Sequence, residues 1–280
     1  MKKINAMNFS ALLFVIAMAC WGSACESNFD PMEDNELYDF SMYGYLDLNA
    51  DTQWIRVMPI LDTLISRNSA PLDIEVTLTR ESNGEVEVLN DSLFFYNNVA
   101  YTWNYWTTAT LQLDEEYTVR AESSAGEYSE ATVRIPRPFP EPEIEYSEGD
   151  ERGNVSGQGA ENLVVAQAIY TVIVYDQGFP SRPFEVAFSN IGLTQVRENG
   201  NYNFTIQAWP VLMNETGKPQ SQISIQKREL IVASGSEDWP DLSGLTEYEI
   251  TIPGVVSNVE NGTGFIGGVA SHKVELRTTQ

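Results

Sequence analysis

Ile74-Glu75-Val76-Thr77-Leu78-Thr79, then Ser82-Asn83-Gly84, then Glu85-Val86-Glu87-Val88: on this stretch the fold class turns. Apolar residues recur at every second position on both sides of an Asn-Gly turn, and successive side chains point to opposite faces only in a β-strand. The stretch therefore reads as a hairpin. Outward from it, similar short strands lie at Met42–Leu46, Trp54–Ile60, Leu93–Tyr96, Tyr101–Trp106, Tyr117–Ala121 and Ala131–Ile135, with turn residues between them. Roughly six to eight strands in about a hundred residues predict a β-sandwich.

Pro136, Pro138, Pro140 and Pro142 occupy every second position, a pattern that favours extended polyproline geometry and cannot continue a central strand. It marks a domain boundary, with a Pro-rich linker at 138–143. Beyond it, Leu163–Tyr175 is long, apolar and β-branched, and Tyr202, Phe204, Ile206 and Ala208 alternate with Asn203, Thr205 and Gln207. Further strands are expected at Ile223–Val232, Tyr248–Ile252 and His272–Leu276. No segment carries a long helical stripe. The expectation is an all-β protein with two sandwich-like domains, at 38–137 and 144–280.

The first 24 residues have the three parts of an export signal: Lys2 and Lys3, the apolar run Ala11 to Ala19, then Gly22, Ser23 and Ala24. That apolar run is too short to cross a hydrocarbon core of roughly 30 Å. The only cysteines, Cys20 and Cys25, lie in or at the edge of this leader. Disulfides, cysteine-ligated zinc, iron–sulfur clusters and a thiol nucleophile are thereby excluded from the folded part. Residues 25–37 are acidic and apolar-poor, and read as a tether. With 40 acidic against 16 basic residues, the net charge of −24 repels phosphates. Nucleic acid is therefore not an expected partner, and anionic lipid attracts nothing beyond an anchor.

Several motifs are tested by their context. Gly262-Thr263-Gly264-Phe265-Ile266-Gly267 has the letters of a dinucleotide fingerprint, but a strand follows it instead of a helix, so the glycines read as a turn or bulge. Asp47, Asn49 and Asp51 have the spacing of a calcium loop, yet Thr52 and Met58 replace the glycine and glutamate such a loop needs. They read as a strand-to-strand turn, and no metal is expected. His272 is the only histidine, its neighbours Ser271 and Lys273 face the other way on a strand, and no nucleophile motif accompanies it. It reads as a solvated strand histidine. With 40 acids, no single glycosidase-like carboxylate pair stands out. The chain is accordingly expected to be neither an enzyme nor a cofactor carrier. Tyr101, Trp103 and Tyr105 share one face of a strand, with Tyr96 and Trp106 nearby; they either fill a sandwich core or form a sugar platform, core packing being the simpler reading.

Resemblances add to this. Gly22-Ser23-Ala24-Cys25 resembles a bacterial lipobox, which implies lipidation of Cys25 and a lasting membrane anchor; Ala17-Met18-Ala19-Cys20 is a competing site, and a cut near Ala24 yielding a soluble protein is the plainer alternative. Glu26 and Asp30 resemble the acidic signal that sends Bacteroidetes lipoproteins to the outer face of the outer membrane. Leu111, Tyr117, Val119 and Ala121 resemble the tyrosine-corner stretch of a fibronectin type III domain, which makes the first domain immunoglobulin-like. Asp62-Thr63-Leu64 and Asp91-Ser92-Leu93 resemble short O-glycan acceptor motifs. Three stretches, Ser41–Leu46, Asp51–Val57 and Ser257–Gly268, are similar to an uncharacterised Bacteroidetes lipoprotein family often encoded beside TonB-dependent outer-membrane receptors. That resemblance implies a non-enzymatic accessory of such a receptor, acting in nutrient capture or assembly. The alternative expectation is a surface glycan-binding lipoprotein using the cluster around Trp103.

Overall fold

A computed structural model describes residues 39–60, 69–96, 100–189, 195–196, 199–240 and 256–277. The leader at 1–24, Cys20, Cys25, the tether at 25–37, Asp62-Thr63-Leu64 and the expected strand Tyr248–Ile252 lie outside the described residues. The deciding hairpin is formed by β3 (Ile74–Arg80) and β4 (Glu85–Val88), paired antiparallel. Val76 and Leu78 are buried, but Val86 and Val88 are exposed, because β4 is an edge strand with open surface on both faces.

β7 (Glu116–Ser123) and β8 (Tyr128–Arg134) complete a sheet in the order β4-β3-β7-β8. Opposite it stand β1 (Phe40–Asp47), β2 (Gln53–Pro59), β6 (Ala100–Thr107) and β5 (Asn90–Tyr96), in the order β1-β2-β6-β5. Met42, Ile55, Val57 and Trp103 from one sheet meet Val76, Leu78, Val119 and Val133 from the other in a single core. This is the A-B-E-D against C′-C-F-G arrangement of an immunoglobulin-like sandwich. The tyrosine corner is in place: the Gln112 backbone N–H donates to the buried Tyr117 hydroxyl at 2.9 Å.

The second sandwich sets β9 (Glu143–Ser147), β10 (Arg152–Gly157), β15 (Tyr202–Gln207) and β14 (Gln195–Val196), ordered β14-β15-β10-β9, against the long strands β11 (Asn162–Asp176) and β16 (Ile223–Gly235) and the shorter β13 (Phe184–Ser189). A two-residue strand, β12 (Phe179–Pro180), closes one end. Its core joins Tyr146, Val155 and Phe204 to Tyr170, Val172, Leu230 and Val232. One short helix, α1 (Ala208–Thr216), follows β15 directly and buries Ala208 and Leu212. Pro210 is tolerated there because the first turn of a helix has no partner for its N–H groups.

β17 (Gly262–Glu275) joins the two halves. It runs antiparallel to β16 and parallel to β1, pairing Phe40 with Gly262 and Asp47 with Val269. One nine-stranded sheet therefore passes from the second sandwich into the first. Val259 and Ile266 enter the first core, while Leu276 enters the second. A turn sits at Asn261, φ 51°, directly before β17, while the glycines that follow lie within the strand itself. Gly264 lies inside the strand at φ 115°, and a side chain there would collide with the Met42 carbonyl of β1. Glycine is what permits the close approach. The segment expected as a linker is packed, with Pro136, Phe139 and Pro142 buried.

Candidate functional site

The sequence-predicted aromatic cluster divides by strand parity. Trp103 and Tyr105 point inward and are 6% and 3% exposed, so they fill the first core and offer no surface for a ligand. Burial, with the nearby Asp91 charge, pushes the Tyr105 hydroxyl well above its ordinary value. Tyr101, on the same face, stacks on Phe95 with ring centroids 4.6 Å apart. Toward the β5–β6 end this face opens, with Phe95 50% exposed, but the larger exposed surface belongs to residues of the opposite parity.

The outer face of β17, β1, β2, β6 and β5 carries a continuous aromatic platform. Cross-strand register sets Tyr43 beside Phe265 and Arg56, Tyr45 beside Trp54, and Trp54 beside Trp106. Trp54 packs against Phe94 and Trp106, with ring centroids at 5.5 and 6.0 Å. The Trp106 indole N–H donates to Ser92 Oγ at 3.1 Å, which fixes its ring. At the other end, Trp239 stacks on Tyr45 at 5.7 Å and meets the edge of Phe265 at 5.0 Å. Trp239 lies over Gly267, where a side chain would occupy the space of the indole. Between the two aromatic groups runs a groove of about 430 Å³ that includes Arg56 and Asn104 in its lining. Tyr45, Phe94, Trp54 and Tyr43 keep 52%, 47%, 41% and 38% of their surface open to solvent.

Several large exposed rings aligned on one face mark a binding surface more often than a solubility feature. The signal for it was present in the sequence. In Ser41–Leu46 and Gln53–Val57 the aliphatic Met42, Leu46, Ile55 and Val57 alternate with Tyr43, Tyr45, Trp54 and Arg56. The aliphatics take the core, so the aromatics must face out. The three stretches that carry the family resemblance are brought together by this sheet, as β1, β2 and the segment through β17.

The remaining motifs have structural roles. Asp47 accepts the Asn49 and Ser271 backbone N–H groups, each at 3.1 Å, and the Ser271 hydroxyl, so it latches its turn onto β17. His272 is half-buried, and it does more than face solvent: its Nε2 lies 2.6 Å from the Phe139 carbonyl and its ring meets Phe139 edge-on at 4.7 Å, fastening the Pro-rich segment. Asp91 and Ser92 of the second acceptor motif lie on β5, with Ser92 Oγ accepting from Trp106.

A second cluster, missed in the sequence, lies inside the second sandwich. Glu151, 1% exposed, accepts from Arg228 Nη2 at 2.6 Å, from Arg228 Nε at 2.9 Å and from the Tyr146 hydroxyl at 2.6 Å. Tyr146 in turn meets the Tyr170 hydroxyl at 2.7 Å. Burial drives the Tyr146 hydroxyl far up and pushes Tyr170 up to about 12. Both carboxylate oxygens are engaged by protein groups, so the arrangement is a clasp between sheets. Glu151 sits at φ 47°, a conformation costing a non-glycine residue on the order of 1 kcal/mol, which the clasp offsets.

No protein-family model and no curated protein matches the chain. Among solved structures, it is similar to a pullulanase from Anoxybacillus sp. LM18-11 crystallised with maltotriose, at 10% identity and a TM-score of 0.23, over 69% of this chain. The match takes in 24% of the pullulanase chain, so this protein spans about a quarter of that length. A superposition that loose says nothing about ligand or activity.

Proposed function

We propose that this protein is a non-enzymatic, lipid-anchored surface protein that binds carbohydrate on the outer face of its joined sheet. The observation that carries the reading is the platform of Tyr43, Tyr45, Trp54 and Phe94, exposed and in register, with Trp239 completing one end. The C–H faces of sugars stack on such rings, while Asn104 and Arg56 supply polar contacts in the groove between them. Covering about 250 Å² of ring surface yields roughly 6 kcal/mol at 25 cal/mol per Å². Association itself costs at least about 4 kcal/mol, so stacking alone leaves about 2 kcal/mol and one chain segment binds weakly, with a Kd on the order of tens of millimolar before polar contacts and multivalency add to it. The leader, the lipobox-like Cys25 and the acidic tether support placement at the outer membrane. The site moves from the cluster around Trp103 to the opposite face of the same strands.

A panel of polysaccharides in affinity electrophoresis tests this. Binding to at least one polymer, lost in Trp54→Ala and Trp239→Ala while thermal melting is kept, is the expected result. No binding to any polymer would remove the proposal.

A second reading rests on the same surface. Trp, Tyr and Arg side by side are also the residues that dominate protein interfaces. On that reading the platform docks a TonB-dependent receptor, and the chain serves nutrient capture or receptor assembly. Pull-down of the lipidated protein from gently solubilised native membranes separates the two: a receptor recovered with the parent and lost with Trp54→Ala favours docking.

A further inference from the structure

Arg56 is the only charged residue among the described residues lining the groove. Its guanidinium carbon lies 5.2 Å from the centre of the Tyr43 ring, and the side chain is exposed. Among the described residues, Arg80, Arg120, Arg134, Arg137, Arg228 and Arg277 each meet a carboxylate, as expected in a chain with 40 acids. Arg56, Arg152 and Arg182 do not. Arg152 lines a hollow shared with Glu145 and Asp150, whereas the groove around Arg56 has no acidic residue among its described lining. An arginine presents five N–H donors in a planar fork that matches a carboxylate. Here that fork rests on an aromatic face and makes no hydrogen bond to any described residue.

We infer that the platform selects an acidic glycan, a polyuronate whose carboxylates pair with Arg56 while neighbouring sugar faces stack on Trp54 and Tyr45. The inference rests on the carbohydrate reading of the platform and specifies its ligand class. The chain's overall negative charge does not oppose it at close range. At physiological ionic strength the screening length is about 8 Å, so a carboxylate in the groove responds chiefly to the cation beside it.

The test uses the full chain with polygalacturonate and alginate, and with the same two polymers after reduction of their carboxyl groups, which keeps the stacking faces and removes the charge. Affinity electrophoresis is run on the parent, Arg56→Ala, Arg56→Lys and Trp54→Ala. The parent should bind at least one acid polymer about tenfold more tightly than its reduced form, the gain typical of a charge-assisted pair. Arg56→Ala should erase that ratio while keeping the binding of the reduced polymer, Arg56→Lys should restore part of it, and Trp54→Ala should weaken both forms. Equal binding of acid and reduced polymers by the parent, or an equal loss on both in Arg56→Ala, would overturn the inference and leave the platform standing. Binding of neither form, with no binding to any neutral polymer, would overturn both.

Discussion

Replacing Arg228 by Met removes the cation from the buried clasp and leaves Glu151 behind. Three contacts, at 3.1, 2.9 and 2.6 Å, disappear, and the carboxylate keeps only the Tyr146 hydroxyl at 2.6 Å. Breaking one side of a buried pair costs about 3–5 kcal/mol, because the surviving charge loses its counter-ion while still largely shielded from water. The Arg228 side chain retains 20% of its surface and the Glu151 side chain 2%, so water reaches the vacated end only, and the lower figure, about 3 kcal/mol, applies. At roughly 2–4 °C per kcal/mol for a protein of this size, the melting temperature falls by about 6–12 °C in scanning calorimetry. The double variant Arg228→Met with Glu151→Leu carries no buried charge and should recover most of the loss. A fall below about 2 °C in the single variant, or a double variant less stable than the single, would refute the argument that the clasp is held by its charges.

Tyr117→Phe keeps the ring in the core but removes the oxygen that accepts from the Gln112 backbone and Arg80, and should cost about 1–2 kcal/mol in urea unfolding with native spectra unchanged. Burial pushes Tyr170 and Tyr202 up to about 12, above the value of about 10 they take in the unfolded chain. Their contribution to stability is therefore full below pH 10 and is lost as pH rises from 10 to 12; absorbance at alkaline pH should show Tyr170 and Tyr202 ionising late, alongside the buried Tyr105 and Tyr146, and Tyr170→Phe should remove one late-ionising phenol. Gly267→Ala places a methyl group where the Trp239 indole lies. It should shift tryptophan emission to the red and abolish polymer binding, and an unchanged spectrum would show that the indole does not rest there.

The fold class was legible because period-2 alternation is written into strands such as β1, β2, β3 and β7, and the tyrosine corner could be read from Leu111 and Tyr117. The direction in which the aromatics face was legible too, through the Met42, Leu46, Ile55 and Val57 positions that the core must claim. At β6 it stayed open between core and sugar platform, because no aliphatic partner marks the inner face; Trp103 and Tyr105 are themselves the core residues, as the simpler reading had it. The pairing of β1 with β17 left no local trace, since parallel neighbours distant in sequence share no turn. Glu151 and Arg228 were hidden for a similar reason: a buried ion pair between separate strands looks, in a chain with 40 acids, like any two surface charges. α1 was missed because its two turns follow β15 without a break and include Pro210.

The junction between β1 and β17 also ties assembly to the order of synthesis. The first sandwich is made first, but the neighbour of β1 and the core residue Ile266 arrive only near the other end of the chain. At 5–20 residues per second, the edge of β1 stays unpaired for roughly 10 to 40 s, a template for any strand that meets it. The longer that edge waits for β17, the more the yield of folded protein depends on its being shielded, and the less on the speed with which either sandwich closes.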